Sequence, residues 1–433
     1  MLETLRNAWK VKEIRNKILF TIFIIIIFRI GSVIPVPYIN VEALRTASEA
    51  ASGGVNQFFS YLSILTGGGL EYGAIFAMSV TPYINSSIIV QLLCVAIPAL
   101  ERLQKEGEEG QKKLAQITRY ATVILALIQG IAYFIYLKNG GGQVSSYLSV
   151  TGTGATWFAG FVIVLAFTAG SALVMWLGEQ IDAKGIGNGI SMLLFAGIIS
   201  RGPQAFAVLW GHCTAGNWIE VIAIILIFLV VIAFIVWMTA AERKVPVQYA
   251  KRVVGNKMYG GQSTHIPIKV NMSGVMPVIF ASSILMLPTM VLGFMRDTTS
   301  SFAKILNLFS VQGVFYAVVY FFLIIGFAYF YATIQFNPVE MANNLRKNGG
   351  AIPGIRPGKP TSDFISKILS RITLMGALFL SAIAILPIII GNVGKINISL
   401  GGTSVLIMVG VALDTVRNLE SQMMMRHYKG FLD

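Results

Sequence analysis

The stretch Ser263–Pro288 reads STHIPIKVNMSGVMPVIFASSILMLP, and the interpretation of the whole chain starts from it. A basic, polar loop runs here into an apolar segment long enough to cross a bilayer, and Pro277 and Pro288 interrupt that segment. The small and polar residues of its first predicted turns are Asn271, Ser273 and Gly274. Unpaired polar groups are costly in hydrocarbon, so a helix that faces only lipid has no use for them. The pattern predicts a helix that lines a cavity or a seam between helices, and a kinked helix buried in a bundle is the alternative.

The composition indicates an integral membrane protein. Of the 433 residues, 55% are hydrophobic and 12% are charged, whereas about 25% of the residues of a soluble protein are charged. Two cysteines, Cys94 and Cys213, predict neither a structural disulfide nor a metal site. Windows of about 20 apolar residues can each span a bilayer. Ten such windows start near Ile18, Gly73, Ile117, Ala155, Ile186, Trp218, Asn271, Gly313, Ile372 and Gly402. The predicted fold is therefore all-α, with ten transmembrane helices.

Lysine and arginine residues are distributed very unequally between the two sides of these spans. The N-terminus, every second loop and the C-terminus together carry 26 of the 33, the opposite side carries six, and Arg29 lies within a span. By the positive-inside rule, both termini are predicted to be cytoplasmic. The first apolar run lacks a small-residue cleavage site, so it is predicted to be a retained helix rather than a cleaved signal peptide.

The ten spans divide near Trp210 into two groups of five. An odd number of spans gives the halves 1–210 and 211–433 opposite orientations in the membrane, which is typical of an inverted repeat. The lengths of the loops agree with this division, because the long connection between spans 1 and 2 lies outside and its counterpart, 241–270, lies inside.

Two further features of the first half are unusual for a membrane protein. Arg29 is a charge within the first span, so it is predicted to reach the interface or to find a partner, and a structural role is favoured over a substrate role. The segment NQFFSYLSILTGGGL, residues 56–70, is too short to span. It is either an interfacial helix or a re-entrant segment, since its glycines allow a sharp return, and periodicity leaves both open.

The two longest cytoplasmic loops, 241–270 and 336–371, concentrate positive charge. They either only enforce topology and attract anionic lipids, or dock an anionic partner such as ribosomal RNA or an acidic protein. No intramembrane acidic pair, catalytic triad, metal cluster or nucleotide motif is found in the sequence. A channel is therefore favoured over a secondary transporter, which needs a polar midplane site, and over a membrane enzyme.

Long motifs along the chain resemble one known family. They include FRIGSVIPVP, IFAMSVTPYINSSIIVQLL, GIGNGISMLLFAGI, QSTHIPIKVNMSGVMPVIFASS, NPVEMANNLRKNGGAIPGIRPGKPT and GTSVLIMVGVALDT. On these residues the chain resembles the SecY/Sec61-alpha family, the channel-forming subunits of protein-translocation complexes. The resemblance covers almost the whole chain. It implies two inverted five-helix halves around a central hourglass pore.

The resemblance also implies roles for particular residues. The aliphatic ring at the waist of the pore corresponds to Val80, Ile84, Ile190, Leu194, Ile279 and Ile407. The plug corresponds to residues 56–70, including Phe58, Phe59, Leu62, Leu65, Gly67, Gly68 and Gly69, which favours re-entry for this segment. The lateral gate, between spans 2–3 and 7–8, includes Gln91, Gln129 and Asn271. Docking of the ribosome and of a motor corresponds to Lys251, Arg252 and Arg356.

The implied function is the passage of unfolded preproteins across the membrane and the lateral release of hydrophobic segments. No cofactor and no enzymatic activity are expected. The implied partners are SecE-like and SecG-like small membrane subunits, the SecA motor ATPase, the ribosome, signal sequences and anionic lipids. The implied location is the bacterial plasma membrane.

Overall fold

Helices make up most of the chain, as the apolar windows predict. The computed structural model describes residues 9–49, 66–139, 147–150, 152–214, 216, 218–249, 252–254, 257–259, 263–272, 274–294, 305–306, 308–309, 313–394 and 402–429. The first helices are α1 (Lys12–Gly31), α2 (Val41–Glu49), α3 (Thr81–Ala96), α4 (Pro98–Lys105), α5 (Glu108–Asn139), α6 (Thr153–Lys184), α7 (Gly189–Ile199) and α8 (Gly202–Thr214). The later ones are α9 (Trp218–Ala240), α10 (Met276–Phe294), α11 (Val314–Gln335), α12 (Pro338–Lys347), α13 (Lys359–Gly394) and α14 (Gly402–Lys429).

A helix lies in every one of the ten predicted spans. Within the described ranges, six helical stretches are long and apolar enough to cross a membrane, and α3 with α4 adds a seventh if that pair is one span. The pair is bent by 104° at Ile97. Ile97 is extended because it precedes Pro98, and a residue before proline is driven away from the helical conformation. The prediction of membrane-spanning helices is confirmed, while the count of ten stays a prediction.

Two predicted helix starts are wrong. The second span was placed from Gly73, but residues 66–80 form turns and α3 begins only at Thr81, with Pro82 in its first turn. The span placed from Asn271 begins as a helix at Met276, so Asn271 precedes it. Pro277 is consequently no interruption, because the first turn of a helix does not require the N–H that proline lacks. Pro288 does lie inside α10.

The two long basic loops contain β-strands, which the all-α prediction missed. The strands are β1 (Glu242–Tyr249), β2 (Arg252–Val254), β3 (Lys257–Tyr259), β4 (Ser263–Lys269) and β5 (Gly350–Ala351). β1 pairs antiparallel with β4, from Glu242 opposite Lys269 to Gln248 opposite Ser263. β5 pairs with the end of β1, where Gln248 lies opposite Ala351. β2 and β3 form a separate antiparallel pair.

The reason for these strands is an alternation of apolar and polar residues. Val245, Val247 and Ile268 are buried between exposed neighbours, as the period of two along a half-buried strand requires. Their buried faces share a core with Leu345 of α12 and with Ile365 and Leu369 of α13. The two long basic loops, 241–270 and 336–371, therefore share one core and form a single folded module.

The chain divides into two units by its internal contacts. The first consists of Met1–Val221, Ser283–Tyr316 and Asn397–Asp433, and the second of Ile222–Ser282 and Ala317–Ile396. The predicted halves 1–210 and 211–433 were inferred from the number of spans and not from contacts within the structure. They stay a prediction. In the second unit Phe280 of α10 packs edge-on against Phe327 and Tyr331 of α11, with ring centroids 5.9 and 6.1 Å away.

Glycines permit the closest approaches of backbone within the first unit. A Cβ atom built on Gly170 of α6 would lie 2.1 Å from the carbonyl oxygen of Ile75, in the turns that precede α3. A Cβ on Gly154 of the same helix would meet nothing within 4 Å. Gly170 therefore allows the non-helical segment 66–80 to lie directly on α6.

Gly170→Ala is expected to destabilise the fold by about 1–3 kcal/mol, the usual effect of overpacking. The added methyl group must push the Ile75 backbone away from α6. Thermal unfolding of the purified protein in detergent measures the effect. Gly154→Ala is the matched control on the same helix and should not lower the midpoint. Equal midpoints for both variants would contradict the close approach.

Candidate functional site

Three of the predicted ring residues share one apolar cluster in the first unit. Val80, the last residue before α3, is 1% exposed and packs with Phe76 and Leu193. Ile84 of α3 and Ile190 of α7 are partly buried against the same cluster. The sequence order Val80–Ile84 places both residues on one side of the start of α3, since residues four apart share a helix face. These three aliphatic side chains therefore belong to one largely apolar cluster.

The other predicted ring residues are Leu194, Ile407 and Ile279. Leu194 of α7 and Ile407 of α14 are both buried. α7 and α14 pack against each other, and the Thr415 hydroxyl of α14 lies 3.5 Å from the sulfur of Met192 on α7. Ile407 is 3% exposed, which excludes a lipid-facing position for it. Ile279 belongs to α10 in the second unit and is partly buried.

The predicted plug is described only in its glycine-rich end. Phe58, Phe59, Leu62 and Leu65 lie outside the described residues. Gly67 and Gly68 have φ angles of 66° and 91°, which non-glycine residues rarely adopt, and Gly69 continues the same turns. Arg29, in the last turn of α1, donates a hydrogen bond of 2.7 Å to the carbonyl oxygen of Gly67. Arg29, the charge in the first span, thus has the predicted partner, and that partner is the backbone carbonyl of Gly67. This contact is a structural role for Arg29.

Two predicted gate residues, Gln91 and Gln129, belong to the first unit, and the third, Asn271, belongs to the second. Gln91 and Gln129 are partly buried on α3 and α5, two helices that pack against each other. The Gln91 amide lies 3.5 Å from the Ser87 hydroxyl on its own helix. Asn271 is partly buried in the connection 270–275 of the second unit, beside Gly376 of α13, where only a glycine lets the two backbones approach. The gate assignment stays a prediction.

Two of the three predicted docking residues, Arg252 and Arg356, are described, and both lie in the two long basic loops. Arg356 is exposed, and its carbonyl accepts a hydrogen bond of 2.8 Å from the Thr361 hydroxyl. Gly354 and Gly358 flank it with φ angles of 81° and 106°, so the tip is a run of fixed turns that presents one guanidinium. Arg252 begins β2, opposite Tyr259. Lys251 lies outside the described residues.

Several contacts around the glycine-rich turns were missed from the sequence. Glu71 forms an ion pair with Arg201, at the junction of α7 and α8. The hydroxyl of Tyr133 on α5 donates a hydrogen bond of 2.9 Å to the carbonyl of Leu70. An acidic residue between apolar runs, at Glu71, was the only signal in the sequence that a partner was needed.

Known proteins of one family match this chain along its whole length. A family profile for SecY matches residues 74–416. A relative named protein translocase subunit SecY, from Streptomyces coelicolor, is 43% identical over 440 residues and covers 100% of both chains. Relatives of the same name from Mycobacterium tuberculosis and Thermotoga maritima are 43% and 41% identical over 445 and 436 residues. They cover 100% of this chain, and 100% and 98% of their own lengths.

Solved structures agree in fold at lower identity. One that is described as a protein conducting channel has a TM-score of 0.64 at 17% identity, over 94% of this chain and 92% of its own. Sec61 in a canine ribosome-channel complex has a TM-score of 0.60 at 16% identity, over the same shares. The matched profile and the full-length relatives show that the chain belongs to the SecY family.

Proposed function

We propose that this chain is the protein-conducting channel of a translocase, which passes unfolded preproteins across the membrane and releases hydrophobic segments sideways into the bilayer. The observation that carries the proposal is the match, at 41–43% identity and along the whole chain, to proteins named translocase subunits. The membrane-spanning helices support it, together with the buried Val80 and the partly buried Ile84 and Ile190 in one apolar cluster.

An aliphatic constriction suits this function for a physical reason. Its side chains cannot replace the hydration shell of an ion, so the constriction dewets and blocks small ions at rest. Alkyl side chains can nevertheless move aside around a passing chain, because they make no directional bonds. Val80 and Ile407, both buried in the first unit, would contribute to such a seal together with Ile279.

The alternative of a secondary transporter for a small solute finds no support among the relatives, which are translocase subunits. The family is one of channel subunits and not of catalytic enzymes. The energy for transport must then come from a partner.

The partners are proposed from the family and from the positive charge of the module that loops 241–270 and 336–371 form, which we propose to be cytoplasmic. A ribosome partner is supported by the Sec61 and Ssh1 structures, which are ribosome complexes. SecE-like and SecG-like subunits, the SecA motor, signal sequences and anionic lipids are proposed with it. The proposed location is the bacterial plasma membrane, with both termini cytoplasmic, as the bias of 26 against six basic residues supports.

Reconstitution tests the proposed function directly. The chain would be purified with the small membrane proteins that accompany it and placed in vesicles with the motor, ATP and an unfolded preprotein. Protection of the preprotein from added protease is expected only when all components are present. A complex that never protects preprotein, yet carries a small solute, would contradict the proposal.

Ile407→Asn is expected to raise ion conductance of the resting channel, because an amide hydrates an apolar constriction. Planar-bilayer recording of the purified complex measures this. Ile222→Asn is the matched control, since Ile222 is 62% exposed on α9. It should lower the yield of protein by placing an amide against lipid, without raising conductance. An Ile407→Asn channel as tight as wild type would remove Ile407 from the ring.

Asn271→Leu is expected to change the acceptance of weak signal sequences by about threefold, since hydrogen bonds between membrane helices average about 0.6 kcal/mol. The leucine would remove an amide that can form hydrogen bonds at the proposed gate and would add apolar packing there. Translocation of matched preproteins with weak and strong signal sequences measures the effect. Asn271→Gln keeps an amide and serves as the control. The gate assignment fails if both classes of signal sequence respond to Asn271→Leu as they do to wild type.

Arg356→Glu is expected to abolish motor-driven translocation while membrane insertion of the chain itself stays normal. A guanidinium can make two parallel hydrogen bonds to a carboxylate, and the reversed charge would repel the same partner. Lys359→Glu, three residues further along, is the control for a general loss of positive charge. Normal translocation rates for Arg356→Glu in reconstituted vesicles would show that this tip does not dock the motor.

A further inference from the structure

Residues 66–80 form the longest non-helical connection described within the first unit, and neighbouring elements satisfy its backbone. The N–H of Ile75 donates to the carbonyl of Ile34 at 3.0 Å, and the N–H of Val36 donates to the carbonyl of Gly73 at 2.9 Å. Tyr133 donates to the carbonyl of Leu70 from α5. In an apolar environment such backbone groups must be paired, so the segment is held in one conformation by what surrounds it.

The start of this segment is fixed by Arg29. Besides the carbonyl of Gly67, the Arg29 guanidinium lies 3.2 Å from the hydroxyl of Ser200, the residue that ends α7. A Cβ atom on Gly67 would lie only 2.6 Å from that hydroxyl. One arginine thus joins the end of α1, the end of α7 and the turn between them. Because its partners are a carbonyl and a hydroxyl, this contact does not neutralise the charge.

The second attachment is an ion pair. Glu71, four residues beyond Gly67, pairs with the guanidinium of Arg201, which follows Ser200. The two side chains are only 20% and 10% exposed. The Arg119–Glu179 pair between α5 and α6 is more open, with exposures of 49% and 26%. A poorly solvated pair is costly to break, because removing one partner leaves a charge that water cannot reach.

The far end of the segment leads to the aliphatic cluster. Its last residue is Val80, and Phe76, four residues earlier, stacks on Phe28 of α1 with ring centroids 6.1 Å apart. Ser79 has a φ angle of 48°, which a serine adopts only where surrounding contacts hold it. The position of Val80 therefore depends on a backbone that is held at its start by charged side chains.

We propose that Glu71 and Arg201, supported by Arg29, form an electrostatic latch that holds segment 66–80 in place and so keeps Val80 in the closed ring. The three residues are positioning residues, since none of them lines the ring. The inference rests on the proposed channel function. Breaking the pair is expected to free the segment and to let the resting channel conduct ions, without any change in the ring residues themselves.

Charge reversal and charge exchange test the latch. In planar bilayers, the purified complex carrying Glu71→Arg or Arg201→Glu should open at rest at least about tenfold more often than wild type, because the loss of one partner of a buried pair shifts an equilibrium by more than a decade. The double variant Glu71→Arg with Arg201→Glu restores an opposite pair and should return openings toward wild type. Arg119→Glu, which breaks the more exposed pair, should leave them unchanged.

The outcomes separate the latch from the function on which it rests. Wild type that fails to protect preprotein in vesicles contradicts the channel function, whatever the variants do. Wild type that translocates, with single reversals as tight as itself, overturns the latch. If the double variant leaks as much as the single reversals, the latch is also overturned, because restoring an opposite pair has then not restored the seal. If charge-reversed chains are not produced, Glu71→Gln and Arg201→Gln take their place, with Arg201→Lys as the variant that should stay tight.

Discussion

Every peptide group of this chain that lies in hydrocarbon needs a hydrogen-bond partner, and the rest of the structure depends on that constraint. Helices satisfy it within themselves, which is why most of the apolar stretches that the structure describes are helical. Residues 66–80 are not helical, so their backbone groups must be paired by turns within the segment or by neighbouring elements. Tyr133 and Arg29 each donate to one carbonyl of the segment, and Gly31, Ile34 and Val36 bond to its backbone. Turns within the segment pair further groups. A non-helical connection is tolerated because α1, the residues that follow it and α5 pair with its backbone.

The spans were predictable because apolar length is a local property of the sequence. The same holds for Arg29, since a charge in a span must find a partner, although the sequence does not reveal that the partner is the carbonyl of Gly67. Helix starts were less predictable. Hydropathy is high from Gly73 onward, but the backbone there bonds to α1 and its extension, so the helix begins at Thr81. Tertiary hydrogen bonds override local preference at that point.

The strands of the two basic loops show a different limit of prediction. Apolar and polar residues alternate in ERKVPVQY, but this segment was predicted only as part of a basic loop. What decides the matter is a core that the two loops build together, with Val247 from one and Leu345 and Ile352 from the other. Close approaches are similarly invisible, because nothing in the sequence distinguishes Gly170, pressed on a carbonyl, from Gly154, which has open space. The ring residues were assigned from the family resemblance. The sequence around Ile407 did not indicate whether this residue is buried or faces lipid, and the structure buries it.

The pairing of β5 with β1 has a thermodynamic consequence. β4 runs through the connection 270–275 into α10, and the Val270 N–H bonds to the carbonyl of Ala241 at the start of β1. A ligand bound at the turns after β5 and a movement at the start of α10 therefore act on one continuous piece of sheet. Linkage is reciprocal: if such a ligand binds more tightly when α10 has moved, then moving α10 by any other means must strengthen binding of that ligand by the same factor. The outer surface of the module and the start of α10 would then be linked thermodynamically through one sheet.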